Sequence, residues 1–121
     1  MADDKDGAAV DQVSPEAIAV AEQVLAALNN FAKLTGGPAK HLATVMMQDG
    51  GCTKFRRVLE RMPQSRMVQY QGMLCISRMA AARRDIRPLF DGVSHHASLM
   101  IQQHHHTPVA DISELLLEEV H

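Results

Sequence analysis

Seven histidines and two cysteines are the residues of this 121-residue chain best suited to chemistry, and five of the histidines fall in two clusters, His95-His96 and His104-His105-His106. Neutral imidazole is a common metal ligand, so the clusters invite a metal reading. On one continuous helix, positions 96 and 104 share a face but stand ~12 Å apart along the axis. They cannot share one ion unaided. No HExxH and no Cys/His ligand pairing accompanies them. His104-His105-His106 reads as a helix end, where imidazole suits the negative pole of the dipole. Cys52 and Cys75 lie in apolar helical patterns without a CxxC and read as buried free thiols. The expectation is no metal and no cofactor.

A catalytic reading meets the same obstacle. There is no Gly-rich phosphate loop and no GxSxG, and Gly36-Gly37 and Gly50-Gly51 read as helix ends. Glu60 and Asp85 are isolated acids, and His41 and Thr44 form a helical i,i+3 pair that lacks a third member. The chain is expected not to be an enzyme.

The elements that would carry these residues are helices. The composition is rich in Ala, Leu, Met, Gln and Arg, with no Trp, one Tyr and eight Met, which favours helix over strand. Residues 1–13 read as a flexible acidic lead and 14–121 as one helical domain. Ser14 can cap a helix with Pro15 at its first position, an apolar stripe of Ile18, Val20, Ala21, Val24, Leu25, Leu28, Phe31 and Ala32, and a stop at Thr35-Gly36-Gly37. A short helix after Pro38, with Leu42, Val45 and Met46 inward, ends at Asp49-Gly50-Gly51. An amphipathic helix over 52–62 follows, and then a long one from Ser65 to about Arg83. Gly72 inside it costs ~1 kcal/mol of propensity relative to Ala, which suggests close helix contact. A brief helix around 85–90, one over 93–104 and a last one over 109–120 complete the chain. Leu115-Leu116-Leu117 reads as a sticky exposed end.

Charge is segregated. Residues 1–49 carry three Lys/Arg against seven Asp/Glu, residues 50–90 nine against two, and residues 91–121 none against five. The net charge of −2 therefore conceals a basic middle. The N-terminus lacks the basic start and apolar run of a secretory signal, and no stretch approaches the ~18 apolar residues of a membrane span. The expected location is the cytoplasm, with the nucleus as an alternative.

The chain also resembles itself. Pro15–Ala32 overlays Pro63–Ala80 at an offset of 48, with Pro15/Pro63, Val20/Val68, Gln23/Gln71 and Ala32/Ala80 identical, and Asp49-Gly50 recurs as Asp91-Gly92 at an offset of 42. Such a period points to a helical solenoid. The run Gly50-Gly51-Cys52, Val58-Leu59-Glu60-Arg61-Met62-Pro63, Val68-Gln69-Tyr70-Gln71-Gly72, Leu74 to Ala80 resembles the armadillo repeat in its roughly 42-residue subtype. The units fall at about 14–49, 50–91 and 92–121.

The resemblance implies an all-α fold, a short right-handed armadillo-like helical superhelix whose third helices line a concave groove. It implies a non-catalytic protein-interaction module or scaffold binding an extended or acidic segment. The family's groove asparagine falls on Asn30 and, one repeat on, on Arg78, whose guanidinium prefers carboxylate. Asn30, Gln71 and Arg78 are thus the partner-binding candidates. Two other readings stay open. One is a self-associating helical bundle whose acidic ends dock on the basic middle of another copy, with exposed repeat ends as a further route to homo-oligomers; the other is an adaptor binding nucleic acid through the basic middle. The second is the weaker, because no reading-head motif appears and Tyr70 is the only conspicuous aromatic platform near the basic stretch.

Overall fold

The computed structural model describes residues 13–34, 37–90 and 92–120. Among these the chain is all-α, as the sequence predicts: α1 (Pro15–Ala32), α2 (Pro38–Met46), α3 (Gly51–Arg61), α4 (Arg66–Ala82), a 3-10 helix (Arg84–Phe90), α5 (Val93–Gln103) and α6 (Pro108–Val120). The acidic lead up to Gln12, the Thr35-Gly36 stop and Asp91 lie outside the described residues.

The helix ends follow local chemistry. Ser14 Oγ accepts from the Ala17 N–H at 3.1 Å, and Ser65 Oγ accepts from the Val68 N–H at 3.1 Å. Each cap satisfies a donor that the first helical turn leaves without a partner. Gly92, with φ of 90°, supplies the left-handed turn before α5. The brief helix after Arg83 is a 3-10 helix with Pro88 inside it, and a short, tightly wound segment of this kind suits a connector.

α4 is the hub. Asn29 of α1 bonds to Gln71 on one flank of α4, and Ser113 of α6 reaches Met73 on another. α2, α3 and the 3-10 helix pack on α4 as well, and α5 pairs with α6. Gly72 lies under Leu59 of α3 so closely that a Cβ there would overlap the Leu59 Cδ2 methyl. Phe55 and Phe90 meet edge to face at 6.3 Å, joining α3 to the 3-10 helix. Val68, Met73, Ile76, Met79, Ile86 and Leu116 are fully buried around this centre. Each such side chain contributes about 1.5–3 kcal/mol, which outweighs the propensity cost of Gly72.

Three sequence expectations change. Val20, Val24 and Phe31 of the α1 stripe are 62%, 51% and 41% exposed, because no described helix covers that side of α1. Val45 of α2 is likewise exposed. The last three leucines are not a common sticky end: Leu116 is buried against the core, Leu117 is half-buried and Leu115 alone is exposed. On a helix, three consecutive residues point in different directions.

Candidate partner-binding face

Successive long helices, α1 then α4 then α6, lie side by side across the molecule, and their seam is polar where α1 meets α4. The Asn29 amide donates both its hydrogens to Gln71, at 2.6 Å to the backbone carbonyl and 2.7 Å to Oε1. Arg78 Nη1 donates to the Asn29 carbonyl at 3.1 Å and to Asn29 Oδ1 at 3.3 Å. Ser65 Oγ donates to Glu22 Oε2 at 2.8 Å at the start of the same seam. Asn29 is buried, so these bonds satisfy an amide that would otherwise cost free energy to bury.

Two of the three sequence-derived binding residues therefore meet at one point. Gln71 and Arg78, both half-buried, converge on Asn29, while Asn30 is exposed next to it and holds no side-chain partner in that cluster. Arg78 is a strut between two helices as well as a surface cation. Asn29 escaped the sequence reading because Asn29-Asn30 is a doublet and repeat alignment favoured the second member. The signal that finds it is helical phase: Leu25, Asn29 and Ala32 form one buried face of α1.

On the side away from α3, α4 presents Met67, Tyr70, Gln71, Leu74 and Arg78, none of them fully buried. Two shallow apolar depressions open between α4 and α6 and share Tyr70 and Pro108. One, of about 380 Å³, is lined by Arg66, Met67, Tyr70, Pro108 and Val109. The other, of about 210 Å³, adds Asp111, Ile112 and Leu115. The face is thus apolar at its floor, with Arg66 at one edge and Asp111 at another. Such a mixture suits an extended chain with alternating apolar and charged side chains.

A larger hollow, about 560 Å³, lies elsewhere, between Glu60, Pro63, His95, His96, Leu99 and Met100. Its buried histidine, His96, is already committed. Gln69 Nε2 donates to the carbonyls of Leu59 at 2.9 Å and Met62 at 2.8 Å, so its Oε1 faces His96 Nε2 at 2.6 Å and the imidazole carries its proton on Nε2. His104 Nε2 donates to the Pro63 carbonyl at 2.7 Å. These two buried histidines fasten α5 and its end to the α3–α4 turn. Burial pushes the His96 imidazole below its ordinary range, with the Glu60 carboxylate opposing and His95 adding to the effect. Among the described residues no three His, Cys, Asp or Glu side chains cluster as metal ligands would.

Thr44, Asp85 and Glu60 are also engaged. Thr44 Oγ1 donates to the Lys40 carbonyl and accepts from Arg83 Nη1, so it does not pair with His41. Asp85 pairs with Arg83 at 2.8 Å and Glu60 with Arg56 at 3.3 Å. Cys52 and Cys75 are free and buried. Burial raises both thiols, Cys75 to about 12.

The fold and this face define an all-helical assembly in which long helices share one open side. Compared with family models, characterised proteins and solved structures, the chain shows no significant match. No described helix is long and apolar enough to cross a membrane.

Proposed function

We propose that this chain is a non-catalytic protein-interaction module, a short right-handed armadillo-like stack that takes an extended, acidic segment of a partner along its open face. The observation that carries the reading is the pair of Tyr70 depressions between α4 and α6, on the same helix as half-buried Gln71 and Arg78, with Asn30 exposed on α1 beside their shared partner Asn29. Amides bond a partner backbone through donor and acceptor together. Arg66 and Arg78 attract carboxylates, and Tyr70 with Met67 offers an apolar footing. The acidic exposed residues Asp111, Glu114 and Glu118 of α6 would repel the same ligand at that end. The partner's acidic residues are therefore expected over α4 and its apolar residues toward α6.

Selection of peptides from a random displayed library on the immobilised full chain tests this. The expected result is a family of extended sequences with spaced acidic residues, lost from selections against Tyr70→Ala and weakened against Asn30→Ala. Peptides captured equally well by Tyr70→Ala would move the binding site away from this face.

A further inference from the structure

The exposed side of α1 carries a pattern that its open face does not use. Ala17, Val20, Val24, Ala27, Phe31 and Leu34 are all exposed, and their spacings of three, four, three, four and three are those of a two-helix seam. Leu34 extends the stripe into the closing turn, where its N–H bonds to the Phe31 carbonyl. At the repeat offset of 48, Val20, Val24, Ala27 and Phe31 become Val68, Gly72, Cys75 and Met79 of α4. All four of those are buried, with Gly72 under α3. The same surface is therefore covered by helix in α4 and uncovered in α1.

We infer that this seam pairs with itself, joining two copies of the chain through an antiparallel α1–α1 contact on a two-fold axis. The sequence along the stripe is self-complementary in that direction. Pairing positions whose numbers sum to 51 sets Ala17 against Leu34, Val20 against Phe31 and Val24 against Ala27 of the second copy. Each layer matches a smaller with a larger side chain, as interdigitation requires. On one margin the pairing brings Gln23 near Asn30 of the second copy, amide to amide; on the other it brings together Ala21 and Leu28, which are only half-buried within one chain.

A head-to-tail contact lacks this match. The opposite end of the molecule exposes Gln102, Asp111, Glu114 and Glu118 around Leu99 and Leu115, a polar surface of the kind that caps a repeat stack. An isologous contact closes at two copies, whereas a heterologous one would propagate. The seam is the length of an 18-residue helix, ~27 Å. That is a small interface, so association is weak and falls in the micromolar range. Asn30 on the seam's margin is also a candidate contact of the open face, but Val20, Val24 and Phe31 at the seam's centre are not, so either reading can fail without the other.

Sedimentation velocity of the full chain from low to high micromolar concentration provides the test. The expected result is a reversible monomer–dimer equilibrium without larger species. Val24→Glu and Phe31→Glu each raise the dissociation constant at least about tenfold; Val24→Glu, at a half-exposed position, leaves the circular dichroism melt of the monomer nearly unchanged, whereas Phe31→Glu lowers it modestly because part of that ring is covered within the chain. A monomer at every concentration, growth beyond the dimer, or a dimer unaffected by both variants would overturn the inference. Direction is read separately by mixing Val20→Cys chains with Phe31→Cys chains under mild oxidation. Antiparallel pairing links the two kinds to each other; links within each kind alone would contradict it.

Discussion

Arg78 and Asn29 are joined across the α1–α4 seam by one guanidinium nitrogen, which donates at 3.1 Å to the Asn29 carbonyl and at 3.3 Å to its Oδ1. The same asparagine spends its two amide hydrogens on Gln71. Because its partners lie on the other helix, the cluster fixes how α1 sits on α4. Asn29→Ala is expected to cost about 2–3 kcal/mol, since it leaves polar groups of Gln71 and Arg78 partly buried without a partner. Asn30→Ala, one residue along and exposed, is expected within about 0.5 kcal/mol of wild type. Urea titrations of both variants check the pair, and equal losses would mean that the seam is assigned to the wrong asparagine.

Much of this arrangement was legible in the sequence. Ser14 and Ser65 announced helix starts because a hydroxyl before a helical run has one local use. Gly72 announced close contact because a glycine in a helix must be repaid by packing. The order of long and short helices followed from the breakers. What the sequence concealed was sidedness. Val20, Val24 and Phe31 have the periodicity of core residues, yet whether a neighbour covers them is decided by residues far away in the chain. Asn29 and Gln69 were hidden for the opposite reason: polar residues read as surface until the groups that satisfy them, here on other elements, are known.

Gly72 gives a packing test. A methyl at this position would overlap Leu59 Cδ2, and Leu59 is itself fully buried. Gly72→Ala is therefore expected to lose about 1–3 kcal/mol to overpacking, more than the ~1 kcal/mol that helix propensity returns. Gly37 has φ of −121° and open space around it, so Gly37→Ala meets no overlap and costs only what alanine loses as an N-cap before Pro38, under about 1 kcal/mol. A stabilised Gly72→Ala variant would show that α3 and α4 are farther apart than described.

Histidine 96 makes stability fall in mild acid. Burial holds its folded pKa below the ordinary value, with Glu60 opposing and His95 adding to the lowering. The unfolded chain then binds more protons than the folded one as pH drops through about 6.5. The loss grows as pH falls and levels off only below the folded pKa. His96→Asn removes the titration while retaining an N–H donor for Gln69. Urea midpoints measured between about pH 7 and pH 5 should fall less steeply for this variant than for wild type. Parallel slopes would assign the acid sensitivity to other groups.

Cysteine 75 reports on opening of the core. Burial raises its thiol to about 12, partly offset by the positive charge of Arg78. Only the thiolate reacts readily, so in a Cys52→Ala background a disulfide reagent near neutral pH should modify Cys75 at the rate set by unfolding and at once in denaturant. Fast reaction of the native protein would contradict its place on the buried side of α4.

The proposed function requires the open side of α4, between α1 and α6, to receive a partner's extended segment. Hydrogen–deuterium exchange on the full chain, with and without an acidic peptide selected against it, measures this most directly. The account predicts added protection in residues 66–78 of α4 and 108–115 of α6, with α3 and α5 unchanged. Protection confined to α3 and α5, around Glu60 and His95, would contradict it.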